Sequence, residues 1–193
     1  MSDLKIMNNI FTTELIANGE GRNVLSAIED GLRTCDEFII SVAFITPDGL
    51  LVLKPILKEL EDRGVKGRIL TTDYLGFNRP EVLDDLGNLK NVELRVYCTS
   101  SHGFHTKGYI FKKDQSYQII VGSSNLTINA LKTNREWNTR AQSYVDDIYT
   151  KEVLEEFELY WNSEFTMKYS DFLPWYRPRW ERANRLSQKN IAE

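Results

Sequence analysis

Residues 37–45, EFIISVAFI, form an almost unbroken apolar and β-branched run. A strand that is apolar on both sides must be covered on both sides, and such strands belong to parallel sheets packed between helices. The adjoining residues strengthen that reading. Thr46-Pro47-Asp48 is a helix start, with Thr46 as N-cap and Pro47 at the first helical position, where its missing N–H costs nothing. That helix is predicted through Leu60, stopping near Gly64. Upstream, Asn23 caps a predicted helix over 24–33, with Leu25, Ile28 and Leu32 on one face. Downstream come a strand over 65–72, a short helix started by Asn78, Pro80 and Glu81 and ending near Gly87, and a strand over 92–97. Alternation of this kind predicts an α/β fold: a mixed, largely parallel sheet flanked by helices on both faces. Sites in such sheets form beyond the carboxyl ends of the strands.

The second half changes rhythm. Segments 105–111 and 117–121 read as a hairpin about a polar turn at 112–116. A small polar loop, 122–125, leads to a short helix over 127–131, a strand over 135–141 and an amphipathic helix over 151–161. Residues 1–22 read as an irregular lead-in. The expected division is a domain over 1–165 and a tail over 166–193. In the tail Arg177, Arg179, Arg182, Arg185 and Lys189 face one acid, Glu181, with Trp175, Tyr176 and Trp180 interleaved. It reads first as a packing helix or a linker toward a further domain, and second as a backbone-contacting, base-stacking segment.

The net charge of −4 argues against a stand-alone nucleic-acid-binding module, which is usually basic. It leaves room for a local basic groove, since phosphate contacts act over a Debye length of roughly 10 Å. Cys35 and Cys98 form neither a CxxC pair nor a disulfide framework, as expected of thiols in a reducing cytoplasm. Met1-Ser2-Asp3-Leu4-Lys5 lacks the layout of a signal peptide, and no apolar run is bilayer-length. A cytoplasmic protein without membrane contact, metal or cofactor is the expectation.

Three pieces carry chemistry. His105-Thr106-Lys107, if extended, projects His105 and Lys107 from one face. A cation beside a histidine favours the neutral ring a nucleophile requires, and the lysine offers a point charge to a phosphate oxygen. In Gly122-Ser123-Ser124-Asn125, the glycine permits close backbone approach, and Ser123 and Asn125 supply uncharged donors. In Asn134-Arg135-Glu136-Trp137-Asn138, Glu136 is placed to hold the far nitrogen of His105 and fix its tautomer. Lys107, Ser123 and Asn125 are then the candidate phosphate-binding set, and His105, Lys107, Asn125 and Glu136 the candidate catalytic set.

The stretch HTKGYIFKKDQSYQIIVGSSNLTINALKTNREWN resembles the His-x-Lys…Gly-Ser-x-Asn signature of the phospholipase D superfamily. It is most similar to the nuclease-type branch, and within it to the domain that precedes a helicase domain in some bacterial DEAD/DEAH-type proteins. Lys112 stands where the full signature has an aspartate, and Asp114 is out of register; nuclease-type variants use a downstream glutamate, which Glu136 matches. The resemblance implies the phospholipase D/nuclease fold and a metal-independent phosphodiesterase acting on nucleic acid, DNA before RNA, through a covalent phosphohistidine at His105. It implies a second histidine motif as well. The chain has only two histidines, and His102 lacks the x-Lys partner, so it is expected as a loop residue near the site. A homodimer with both His105 rings at one cleft is the expected solution. The rival expectation is a catalytically silent nucleic-acid- or phosphate-binding module of a helicase or restriction system.

Overall fold

The buried residues of the predicted parallel strands do become the centre of a sheet. The computed structural model describes residues 11–19, 21–99 and 103–192, with side chains as far as 187. Half of the lead-in, His102 and the Lys189 side chain lie outside the described residues. The strands are β1 (Thr12–Ile16), β2 (Glu37–Val42), β3 (Lys66–Thr72), β4 (Val92–Tyr97), β5 (Lys107–Lys113), β6 (Ser116–Gly122), β7 (Asn138–Tyr144) and β8 (Thr166–Lys168). They form one eight-stranded sheet in the order β1-β7-β6-β5-β2-β3-β4-β8.

The α/β class and the mixed sheet are as expected, but the balance differs. Among the named strands, parallel pairing is confined to β2–β3 and β3–β4; β1–β7, β6–β7, β5–β6, β2–β5 and β4–β8 are antiparallel. The hairpin is the cause: β5 docks antiparallel on β2, and everything beyond it follows that sense. The lead-in also hides a strand, β1, which covers the β7 edge.

The helices are α1 (Val24–Thr34), α2 (Pro47–Asp62), α3 (Pro80–Gly87), α4 (Ile128–Lys132), α5 (Ile148–Trp161) and α6 (Tyr169–Ala192). Their starts follow the sequence closely. The Asn23 side chain accepts from Ser26 N–H in a capping box, and Thr46 and Thr127 cap α2 and α4. Alternation along the strands sends Ile40, Ile69, Tyr109 and Ile120 to a core shared with α1, α2, α3, α4 and α6. It sends Ile39, Leu70, Ile110 and Ile119 to the opposite core, where α5 supplies Phe157 and Trp161. Helices thus lie on both faces, with α5 as the one helix on its side among the described residues.

Residues 166–180 pack against the sheet. β8 pairs with β4, and Phe172 and Tyr176 of α6 are buried in the larger core. Trp180 Nε1 donates to Gly76 O at 2.7 Å, and Tyr176 OH donates to Asn78 O at 2.8 Å. Tyr176 and Trp180 are therefore committed to packing rather than displayed for base stacking. Cys35 is buried and Cys98 half-buried; both are free thiols, and burial pushes each up to about 11. Among the described residues no helix is long and apolar enough to cross a membrane.

Phe172 is fully buried and stacks on Tyr176 with ring centroids 4.7 Å apart. Phe172→Ala should lose about 3–5 kcal/mol, the range for an aromatic removed from a packed core. A urea titration checks this: a midpoint unchanged from wild type would mean that α6 is peripheral to the fold.

Candidate active site

The strand ends assemble the site. The carboxyl ends of β2, β3 and β6 and the amino ends of β5 and β7 lie along one edge of the sheet, as the registers Gly122↔Asn138, Gly108↔Val121, Val42↔Lys107 and Ser41↔Leu70 require. His105 is just upstream of β5, in a segment tied to β2 by Ala43 N–H to Thr106 O at 3.1 Å and by the Ser41–Thr106 hydroxyl pair at 2.8 Å. The imidazole is exposed, with Phe44 edge-on to it at 5.6 Å between centroids.

Lys107 is buried beneath it. Its Nζ donates to His105 Nδ1 at 2.6 Å and to His105 O at 2.8 Å. Desolvation first, and the Lys107 charge second, push the His105 pKa below its ordinary 6.5. Lys107 is itself pushed down by desolvation, against the opposing pull of the Glu136 carboxylate. The expected side-by-side projection of His105 and Lys107 is thus what the fold produces.

Glu136 sits otherwise than expected. One carboxylate oxygen accepts from Ser123 Oγ, and the other accepts from Asn134 Nδ2 at 3.4 Å. Among the described residues it makes no hydrogen bond to His105; Lys107 occupies Nδ1 instead. The reason is local: β7 begins at Asn138, so Glu136 lies in the loop before it and its direction follows Ser123. A lysine donating to Nδ1 leaves the proton of a neutral ring on Nε2, the opposite of the tautomer needed for attack through Nε2.

The Gly122–Asn125 loop is held from three sides. Asn125 Oδ1 accepts from Phe44 N–H at 3.2 Å, which leaves its Nδ2 protons as the donor face. Ser124 is fully buried, with its N–H and Oγ both engaged by the Asn138 amide, and its carbonyl accepts from Tyr109 OH at 3.0 Å. A Cβ at Gly122 would meet Trp137 O at 2.3 Å, so only glycine allows β7 this near. Asn138 and Tyr109 build the site without any sequence signal that singles them out, although Asn138 stands in the same motif as Glu136. The clearest missed residue is Asn78. It is 1% exposed; its Nδ2 reaches Ala43 O at 2.9 Å, Thr71 Oγ1 at 2.9 Å and Thr72 O at 2.6 Å, and its Oδ1 accepts from Ile45 N–H at 2.7 Å.

Beside His105 and Lys107, a largely apolar cleft of about 580 Å³ runs under α5, bounded by Ile110, Val121, Val153 and Phe157 with Glu152 and Glu156 at its side. Among the described residues no group of His, Cys, Asp and Glu could hold a metal ion.

The electrostatics have a testable sign. Burial and the Lys107 charge both penalise the imidazolium, so the neutral ring persists to lower pH than in a free histidine. A side-chain NMR titration should place the His105 midpoint below about 6.5. Lys107→Met should raise it by removing the charge, without removing the desolvation. A midpoint that stays or falls in that variant would overturn the assignment.

The family described as "Cardiolipin synthase, PLD-like domain" matches residues 33–161. Human mitochondrial cardiolipin hydrolase is 33% identical over 117 residues, covering 60% of this chain and 42% of that protein. The mouse counterpart is 33% identical over 115 residues, covering 58% and 48%. The chain therefore spans less than half the length of these curated relatives. Among solved structures, the phospholipase D family member Nuc of Salmonella typhimurium superposes with a TM-score of 0.65 at 17% identity, over 82% of this chain and 98% of that one. NucT of Helicobacter pylori gives 0.59 at 20% identity, over 78% and 94%. The fold is thus that of the phospholipase D and nuclease structures, and by the match over most of its length the chain belongs to the phospholipase D-like family.

Proposed function

We propose that this chain is a metal-independent phosphodiesterase of nucleic acid, with DNA as the first substrate to test, acting through His105 at a site completed by a second copy. The observation that carries this reading is the Lys107–His105 pair at the sheet edge, with the Asn125 amide protons left as donors; the Ser123 hydroxyl and N–H are spent on Glu136 and Trp137, so Ser123 supports the site through Glu136 and does not itself donate to the phosphate. It is supported by the family and by a Salmonella neighbour whose fold is shared.

In this reading the phosphate draws the Lys107 ammonium from Nδ1 onto one of its own oxygens. Nδ1 is then free to carry the proton, and Nε2 gains a lone pair. Nε2 attacks phosphorus, a P–N bond forms, and the P–O bond to the leaving strand breaks. Asn125 Nδ2 and Lys107 hold the equatorial oxygens, where charge develops. Ser123 orients the Glu136 carboxylate toward this cluster, and its field offsets the charge on Lys107. The leaving oxygen needs a proton and the phosphohistidine needs an activated water. A second His105 supplies both across a two-fold axis, first as acid and then as base. The α5 face, with one helix over its sheet and Ile148 and Leu159 exposed, is the surface that would meet the partner. Attachment to a helicase domain in a longer protein, and residence in the cytoplasm, belong to the same proposal.

One observation favours a second reading. With Nδ1 held by Lys107 and Glu136 turned to Ser123, the site can grip a phosphate without attacking it, as a silent binding module would. A cleavage assay in EDTA separates the two. Wild type should cut DNA and sediment as a dimer, and His105→Ala should lose at least about three orders of magnitude in rate while keeping the dimer. Salt-sensitive binding with no cleavage by either protein would establish the silent module instead.

A further inference from the structure

Four aromatic side chains at the site edge take no part in the chemistry above. Phe44 lies beside His105, and its ring contacts Phe77 at 4.8 Å and Tyr74 at 6.4 Å between centroids. Tyr74 is 40% and Phe77 55% exposed, with Leu75 between them at 74%. On the other side of the phosphate-facing residues, Trp137 is 75% exposed. Its backbone N–H and carbonyl both pair with Ser123, so the indole is presented from a fixed point.

Strand order sets their spacing. Trp137 precedes β7 and Tyr74 follows β3, and each strand is two places from β5 in the order β7-β6-β5-β2-β3. At one strand spacing per step, each aromatic group stands about 10 Å along the edge from the nucleophile's strand. The two groups flank the phosphate position on opposite sides, each with an exposed arginine two residues away in sequence, Arg79 beyond Phe77 and Arg135 before Trp137.

The Tyr74–Phe77 segment is also built to stay where it is. Leu75 has φ 50°, a left-handed conformation that leucine adopts at a cost, and Gly76 follows at φ 67°. Trp180 and Tyr176 of α6 anchor the backbone on either side of Phe77. Exposed apolar side chains on a strained, braced turn are kept for contact with something outside the chain.

We infer that Tyr74 with Phe77 on one side, and Trp137 on the other, are stacking platforms for the bases flanking the cleaved phosphate of a single strand. This rests on the nuclease reading and adds to it the form of the substrate. Every base has a π-face, but in a duplex those faces are stacked away; only an unpaired strand can lay successive bases on two separated platforms. A lipid surface is the competing occupant, and it fits less well. A membrane-docking edge gathers its apolar tips on one side, whereas here they are divided.

The test compares an ordinary single-stranded oligonucleotide with one of the same length in which the bases near the cut are replaced by abasic spacers. Binding is read by anisotropy and cleavage in EDTA. Wild type should prefer the base-bearing strand by about tenfold or more, within the range for base–aromatic stacking. Phe77→Ala and Trp137→Ala should each shrink that ratio several-fold, and the double variant should bring it near one. Trp137→Phe, which keeps a ring, should retain most of it. Equal handling of the two strands by wild type, with cleavage intact, would overturn the platforms and leave the nuclease reading standing. Absence of cleavage with a base-dependent binding ratio would keep the platforms and remove the nuclease. Binding to anionic vesicles lost in Phe77→Ala, with no preference for bases, would assign the aromatics to lipid and overturn the inference.

Discussion

One buried amide keeps the edge that carries the candidate site in shape. Asn78 lies just past the turn after β3, and its side chain reaches back to Ala43, Ile45, Thr71 and Thr72. Parallel strands that end together leave carbonyls and N–H groups with no further ladder partner, and in a buried crevice each such group costs about 1–3 kcal/mol if left alone. Asn78 offers two protons and a carbonyl to the groups left at the ends of β2 and β3, the place where the chain must splay. Phe44 and the His105 segment are positioned by what that amide holds. The α6 contacts then fix the Asn78 segment from below, through Tyr176. The line of dependence runs from a helix at the far end of the sequence, through one asparagine, to the histidine.

Much of this is readable from residues alone where a local rule is strong. Helix caps at Asn23 and Thr46 place α1 and α2 almost to the residue, because a side-chain oxygen over orphan N–H groups is a purely local arrangement. The hairpin follows from its polar turn. What escapes is long-range. β1 is an edge strand with only Ile16 fully buried, so its alternation is too faint to stand out. The Phe172, Tyr176 and Trp180 stripe at helical spacing is visible, but Pro174, Pro178 and the arginines make the segment resemble a linker. The alternating first half suggests more parallel pairing than the sheet contains, because strand direction beyond β4 depends on which edge the hairpin joins, and nothing in the hairpin itself states that.

The site shows the same division. His105 and Lys107 meet because two residues on one extended segment face one way, and that is local geometry. Spacing in sequence points Glu136 at the histidine, yet its direction depends on where β7 begins and on the hydroxyl of Ser123 in a different loop. The overall charge of −4 is a poor guide to the site, since the group that matters there is a single buried ammonium whose surroundings, and not its number of neighbours in sequence, set its behaviour. A lysine so placed lowers the proton affinity of the ring beside it.

The turn at the far end of the hairpin has a consequence for the geometry of the site. β5 and β6 close at Lys113↔Ser116, with Asp114 at φ 51° in the intervening turn, a conformation that aspartate tolerates and β-branched residues resist. The pairing counted back from that turn brings Gly108 opposite Val121, and so Lys107 beside the Gly122 loop. At about 3.4 Å per residue, the turn and the loop stand some 20 Å apart. A slip of one residue at the turn would carry down the whole ladder and present the wrong side chain to the Gly122 loop, with the hydrophobic alternation reversed as well. The alignment of the His105–Lys107 segment with the Gly122 loop is therefore a counting problem solved at a distance: the turn acts as the origin of the ruler on which the two are marked.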